Sequence, residues 1–341
     1  MKKLLILAIS LIMLVSLTAC GSSSDDSASA EEPVVIHFAS TVSTTHDWYI
    51  SAQTFKDTVE KESNGSIEVV IDFGGVLGSD KEIVEGVAAG TVDMSIDSTV
   101  GIDAVVTELG FVNLPYLMTS YDEVDELFYD GWIGEKATEL AEAKGIKVLG
   151  WTDCDFRWMT NSVRPIESVD DLAGMKLRVP ESPMYLAFFK ALGCTPTPIA
   201  FTDLPSALQQ GVVDGQDNGP VLTYTANLYQ FQKYMTKSNH SFAAAGVLFN
   251  PAKWDSMSAE QQTIVQDAAD KYVTDVKTAV RASVISIEAD MTEEGVTIIE
   301  TTPELDASMR AAAEKVWQDE EVTQYYDQDA VAKILKDAGL N

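Results

Sequence analysis

The chain is poor in the residues that build metal centres and nucleic-acid interfaces. Its 341 residues hold three His and three Cys, scattered too widely for the four closely spaced ligands of a structural zinc site. No metal and no cofactor is expected. Cations are scarce as well: 23 Lys+Arg face 53 Asp+Glu, for a formal charge of −30 and a pI near 4.2. Such a chain repels phosphate backbones, which excludes nucleic acid as a partner. Catalytic signatures are also missing. There is no G-x-x-x-x-G-K-[ST], no strand followed by G-x-G-x-x-G, no G-x-S-x-G elbow and no H-E-x-x-H. His37, His46 and His240 lie far apart in the sequence, and no catalytic residue is nominated. What remains is an ordinary globular balance, 46% hydrophobic and 22% charged, at a length that suggests about two domains. Composition alone favours a binder of cations over a binder of anions. An anionic ligand would need a few cations placed against the overall field.

The N-terminus supplies an address. Lys2 and Lys3 precede an apolar run from Leu4 to Leu17, too short for the roughly 20 residues of a membrane span and fitting a signal-peptide core. The run ends in Leu17-Thr18-Ala19-Cys20, which resembles the lipobox of bacterial lipoproteins; the alternative is an ordinary signal with an incidental Cys. The expectation is a signal peptide over 1–19 and, over 20–33, a lipidated Cys20 followed by a flexible linker. No second long apolar run follows, so the body is expected outside the cytoplasm, held to the membrane by lipid only. Cys154 and Cys194 then remain, either bridged or, the preferred reading, as two separate buried thiols.

Beyond the linker, strand-like and helix-like stretches alternate. Val34–Phe38, Ile67–Ile71, Val92–Ile96 and Lys147–Thr152 read as strands. Helical patterns run from His46 to about Ser63, from Asp80 (as cap) to Ala89, over Tyr121–Tyr129 and over Glu135–Lys144. The second half repeats the scheme with strands Lys176–Val179 and Thr195–Ile199 and helices Pro183–Leu192 and Leu204–Gln210. Strands separated by helices argue for parallel pairing in two α/β lobes, with ligands bound beyond the carboxyl ends of the strands. One segment stands out. Between Ser258 and Glu294 there is no Gly or Pro, and Ile264, Ala268, Tyr272, Val276, Val280, Val284, Ile287 and Met291 recur in steps of four with one of three. That spacing marks one face of a single helix long enough to brace both lobes.

Two arginines stand at strand ends. Arg157 follows Lys147–Thr152, and Arg178 lies near the end of Lys176–Val179. A strand-end guanidinium points to where open α/β sheets bind ligands, and its planar fork holds a carboxylate by two parallel hydrogen bonds. The competing reading for either is an ion pair, readily supplied in so acidic a chain. Trp151 and Trp158 are candidates for pocket walls or for core.

From about Val34 to Gln262 the sequence resembles the solute-binding subunit of tripartite ATP-independent periplasmic (TRAP) transporters, the DctP-type family. The resemblance rests on Gly75-Val76-Leu77-Gly78-Ser79-Asp80-Lys81-Glu82, Gly90-Thr91-Val92-Asp93-Met94, Asn113-Leu114-Pro115-Tyr116 and Asp171-Leu172-Ala173-Gly174-Met175-Lys176-Leu177-Arg178-Val179-Pro180. It continues through Ala191-Leu192-Gly193-Cys194-Thr195-Pro196-Thr197-Pro198 and Ala207-Leu208-Gln209-Gln210-Gly211-Val212-Val213-Asp214-Gly215-Gln216-Asp217-Asn218.

The resemblance implies a two-lobe, periplasmic-binding-protein-like α/β fold with mixed sheets and a long helix spanning both lobes. The lobes are expected as 34–154 plus 244–284 and 155–243 plus 285–341. It implies that Arg178 makes the main salt bridge to a ligand carboxylate, that Arg157 adds a second contact, that Asn218 hydrogen-bonds the same group and that Phe201 walls the pocket. First-lobe contacts are sought at His46, Trp48, Asp80 and Ser98, with Trp151 as a further wall. It also implies partners: a small carboxylate, with sugar acids, aromatic acids and short hydroxy or keto acids all open, and the small and large membrane subunits of the transporter. Gly219-Pro220 departs from the family pattern, in which Pro follows the Asn directly, and Cys194 replaces a small Ala. Rival readings are the binding protein of an ATP-driven importer, a ligand sensor for a signalling kinase and a secreted enzyme acting in the cleft.

Overall fold

A computed structural model describes residues 32–340; the expected signal segment and Cys20 lie outside the described residues. From Pro33 onward the chain forms one compact unit built on two sheets. The first contains β1 (Val34–Ala39), β2 (Ile67–Asp72), β3 (Met94–Ser98), β4 (Lys147–Phe156) and β10 (Phe242–Phe249), in the order β2-β1-β3-β10-β4. The second contains β5 (Trp158–Asn161), β6 (Lys176–Val179), β7 (Thr195–Pro198), β8 (Gly215–Asn218), β9 (Tyr234–Lys237) and β11 (Thr297–Glu300), in the order β11-β9-β5-β8-β6-β7.

Most helix and strand boundaries fall within one to three residues of expectation, the ordinary scatter at element ends. Three differences have clear causes. Val92 does not open β3, because Gly90 takes a left-handed φ of 82° and the amides of Thr91 and Val92 fold back on Gly86 O. Asp80 is not the cap of helix Asp80–Ala89. Ser79 is, in a capping box with Glu82, and Asp80 is thereby left as the first helical residue. β4 continues past Thr152 to Phe156; Asp153 and Asp155 pair with β10, and Cys154 is the extra residue of a bulge between them.

The parallel pairing argued from alternation holds for β2-β1-β3 and for β8-β6-β7. It fails at β10 and β5, which run against their neighbours. The reason is the route of the chain. β4 leaves the first sheet and β5 enters the second with only Arg157 between them, and β9 returns to β10 through Ser238–Ser241. A chain that enters a sheet from the side where the other strands end must run in the opposite sense. Arg157 N donates to Ser241 O at 2.8 Å and Ser238 Oγ to Arg157 O at 3.3 Å, so the two crossings are tied side by side.

The third connection is the uninterrupted helix Ala259–Glu293, 35 residues long, or roughly 50 Å. Six of its eight expected apolar positions are buried, Ala268, Tyr272, Val276, Val280, Ile287 and Met291. Its middle serves the first sheet: Tyr272 Oη donates to Trp48 O at 3.0 Å and Val273 O accepts from Thr152 Oγ1 at 2.7 Å. Toward its end Glu288 pairs with Lys237 of β9 at 3.1 Å. The sequence division keeps 285–341 with the second lobe. Helix Pro303–Trp317 and the short helix Glu320–Thr323 pack near helix Pro183–Ala191, and the chain beyond them meets residues 108–136. Asp327 pairs with Lys136, its amide donates to Glu108 O, and the Lys333 ammonium lies over the Trp132 ring. Among the described residues no helix is long and apolar enough to cross a membrane.

Candidate functional site

A cleft of about 670 Å³, its open mouth included, lies where strands of both sheets end. From the first sheet it takes Thr41 and Val42 beyond β1, Ser98 at the end of β3 and Cys154 near the end of β4. From the second it takes Arg178 and Pro180 at the end of β6, Phe201 beyond β7 and Asn218 at the end of β8. Arg157, the crossover residue, lines its floor.

Arg157 and Arg178 are both 3% exposed, yet their surroundings differ. Arg157 Nε donates to Asp217 Oδ2 at 2.7 Å, and its guanidinium lies 4.9 Å from the Tyr185 ring centre. His240 Nε2 stands 3.3 Å from the same carboxylate and its Nδ1 2.8 Å from Ser238 Oγ. Burial alone would raise the Asp217 pKa, but the Arg157 charge and the His240 hydrogen bond hold it well below the usual carboxylate range. The Arg157 pKa is correspondingly raised: burial works against its charge and Asp217 outweighs burial.

Arg178 forms no ion pair among the described residues. Its Nε donates to Ile199 O at 2.8 Å, which fixes the plane of the fork and leaves the terminal nitrogens to the cleft. Burial pushes its pKa down to about 10, with Asp217 and Asp80 only partly offsetting that effect. A buried guanidinium without a counter-charge is costly to maintain, and an incoming carboxylate supplies what it lacks.

Asn218 is set beside it by a relay of amides. Its Nδ2 donates to Gln216 Oε1, and Gln216 Nε2 donates to Thr160 Oγ1 at 2.9 Å and Thr223 Oγ1 at 3.3 Å. One Asn218 N–H remains to face a ligand. The departure at Gly219-Pro220 has a steric reason. A Cβ at Gly219 would lie 2.6 Å from Asp155 Cβ, and Pro220 takes the first position of helix Pro220–Thr225, where a proline costs no hydrogen bond.

The opposite wall comes from the first lobe. Asp80, half-buried, accepts the Thr41 hydroxyl at 2.6 Å, and burial raises its pKa against the lowering effects of Thr41 and Arg178. Ser98 caps helix Thr99–Asp103 through Gly101 N at 3.3 Å. Trp48 is buried, with its indole nitrogen donating to Asp153 O at 3.1 Å.

Seven of the nine nominated residues thus converge on the cleft: Arg178, Arg157, Asn218, Phe201, Trp48, Ser98 and Asp80. His46 and Trp151 are not among its lining. His46 is fully buried as the N-cap of helix Asp47–Glu62, its Nδ1 accepting from Trp48 N at 3.1 Å, and burial pushes its pKa down to about 3. Trp151 shares its strand face with Asp153, which bonds Tyr129, and its indole donates to Thr138 Oγ1 at 2.8 Å, away from the face that presents Cys154. Sequence reasoning missed Thr41, Val42, Val100, Cys154 and Leu222. The rule that ligands sit beyond strand ends would have found Thr41 and Val42; the others needed the sheet order. Cys154 and Cys194 are both free and buried, as preferred, and burial pushes each thiol up to about 12. Among the described residues no group of three or more His, Cys, Asp or Glu could hold a metal ion.

Comparison with known proteins gives a consistent result. The model of the bacterial extracellular solute-binding proteins, family 7 (DctP), matches residues 38–324. The C4-dicarboxylate-binding periplasmic protein DctP of Rhodobacter capsulatus is 32% identical over 70% of this chain and 71% of its own length. Among solved structures, the sugar acid binding protein DctPAm of Advenella mimigardefordensis in complex with galactonate superposes with a TM-score of 0.85 at 27% identity, covering 90% of this chain and 98% of that one. A TRAP periplasmic solute-binding protein from Polaromonas, bound to D-erythronate, gives 0.82 at 28% identity, covering 88% and 98%.

Proposed function

The chain belongs to the DctP family of extracellular solute-binding proteins, whose solved members include the periplasmic receptors of TRAP transporters, and we propose that it captures an organic acid by its carboxylate and hands it to the membrane subunits. Arg178 carries this reading: it is buried at the end of β6, faces the cleft, and has no carboxylate of its own. Arg178 makes the bidentate salt bridge, the free Asn218 N–H donates to the same group, and Arg157 adds positive potential and a second contact. Charge-assisted bonds of this kind contribute about 1.5–3 kcal/mol each. A micromolar affinity needs roughly 8 kcal/mol, so the remainder comes from the walls of Trp48, Phe201 and Leu222 and from closure of the lobes about the crossings at Arg157 and Ser238–Ser241.

The family is one of transport proteins, and no chemical step is assigned to the cleft; the ligand leaves as it arrived. Lipid attachment at Cys20 would keep the receptor beside its transporter, and the division into 34–154 plus 244–284 and 155–243 plus 285–341 is proposed for the moving lobes.

The test is a thermal-shift screen of organic acids against their amides. A carboxylate at about a hundred times its Kd stabilises the folded state by about 2.7 kcal/mol, a rise of several degrees. The matching amide should give none. Equal stabilisation by acid and amide removes the charge clamp.

A further inference from the structure

The charges that face the cleft are unevenly divided. Of the two second-lobe cations in the cleft lining, Arg178 is the unengaged one, because Arg157 is held by Asp217. Lys81 also reaches the lining, but its side chain is half exposed and its ammonium turns to Glu85 at 3.9 Å. Against these stand Asp80 on the opposite wall and Glu181 at the end of β6. Behind Asp80 lies Asp97 of β3, fully buried, with neither carboxyl oxygen hydrogen-bonded. Burial raises the Asp97 pKa well above the usual range, and the neighbouring Asp80 charge raises it further. Once one carboxylate sits on Arg178, the acids left facing the rest of the ligand are Asp80 and Glu181.

Asp80 is also held in place. The Thr41 hydroxyl donates to its Oδ1 at 2.6 Å, and a Cβ at Gly101 would come 2.8 Å from its own Cβ, so the bare glycine leaves it room. A fixed carboxylate on the wall facing a carboxylate-binding guanidinium suits a ligand with an anionic head and hydroxyls along its length. A hydroxyl donating to an ionised carboxylate makes one of the stronger neutral-to-charged hydrogen bonds. A second carboxylate in that position meets a like charge, which is how sites reject a close competitor.

We infer that the cleft selects a hydroxylated monocarboxylate over a dicarboxylate, with Asp80 accepting a ligand hydroxyl and repelling a second carboxylate. This rests on the carboxylate reading of Arg178 and narrows it, since relatives include both a sugar acid binding protein and a C4-dicarboxylate-binding protein by name.

Titration calorimetry on the purified protein tests it with matched pairs that differ only in the far carbon: galactonate against galactarate and erythronate against meso-tartrate, with succinate and butyrate added. At least one hydroxylated monocarboxylate should bind tenfold or more tighter than its matched dicarboxylate and than succinate and butyrate. Asp80→Asn should compress that ratio below threefold, weakening the monocarboxylate and admitting the dicarboxylate. Equal or tighter binding of dicarboxylates by the unmodified protein overturns the inference and leaves the Arg178 reading standing. Butyrate binding as tightly as the hydroxy acids removes the hydroxyl contact. An unchanged ratio in Asp80→Asn removes Asp80 as the discriminating group. Failure of every carboxylate to bind defeats the Arg178 reading together with this one.

Discussion

Arg157 and Arg178 line the same cleft with equal burial, and their difference separates what holds this molecule together from what it presents to a ligand. Arg157 sits where the chain crosses between sheets, and its charge is answered by Asp217, which is in turn bonded by His240. Arg178 sits at a strand end, anchored to a backbone carbonyl alone. A buried ion pair adds little net stability over a well-packed apolar pair, but breaking it strands the surviving charge. A buried lone cation has the opposite character: it weakens the empty protein and is stabilised by an arriving anion.

The largest effects come from removing each arginine in turn. Arg157→Met leaves Asp217 buried without its counter-charge and should cost about 3–5 kcal/mol of stability, read from urea denaturation. Arg178→Met strands no charge and frees only the carbonyl of Ile199, so stability in the absence of ligand should be unchanged or higher, while carboxylate affinity falls about a hundredfold, the equivalent of roughly 2.7 kcal/mol. The contrast collapses if Arg178→Met destabilises the empty protein as much as Arg157→Met does.

The sequence makes one half of this contrast readable. Gly174–Pro180 marks Arg178 as a strand-end guanidinium, a local feature that needs no tertiary knowledge, whereas Asn218 comes only with the resemblance of its run to the DctP-type family. The long helix is equally legible, because a four-residue apolar spacing without Gly or Pro has few alternatives. The engagement of Arg157 is not legible. Asp217 lies on β8, and its approach to Arg157 depends on β5 lying beside β8 in reversed sense, a consequence of the one-residue crossing after β4. The strands β5, β8 and β9 are four residues each, too short for alternation to declare itself, and β10 is buried along its whole length, so it shows no alternation at all. His46 misled for a related reason. It stands at a helix start near the strand ends, but the imidazole turned back to cap its own helix.

The acids repeat the contrast on a smaller scale. Asp217 is paired, whereas Asp155, two residues before Arg157, has only Tyr121 Oη at 2.9 Å and the Phe156 amide on Oδ1, and its Oδ2 is buried without a partner. Burial raises the Asp155 pKa to about 8. The folded state therefore keeps this proton after the unfolded chain, with an ordinary pKa near 3.9, has lost it. The unfolded state binds fewer protons across that interval, so the Asp155 contribution to stability falls as pH rises from about 4 to about 8. Asp155→Asn removes the ionisation and should be more stable relative to the parent at pH 9 than at pH 5, by up to about 4 kcal/mol, about 1.4 kcal/mol for each pH unit between 5 and 8. Denaturation curves at the two pH values decide it; an equal difference at both would mean Asp155 already carries a partnered charge.

The smallest expected effect concerns the two thiols, which divide between the same regions. Cys154 lines the cleft near the end of β4, whereas Cys194 lies outside its lining, just before β7. Both are buried and both titrate near 12, so at neutral pH each reacts slowly and its rate reports how often its surroundings open. In a Cys20→Ala background, a saturating carboxylate should slow modification of Cys154 several-fold by occupying and closing the cleft. Cys194 should change only as far as global stability does. Mass spectrometry of peptides after timed labelling separates the two rates. Equal protection of both thiols would mean that the ligand stabilises the molecule throughout and that the cleft has no opening of its own. That outcome would make the lobes rigid and move the source of affinity from closure back to the Arg178 contact itself.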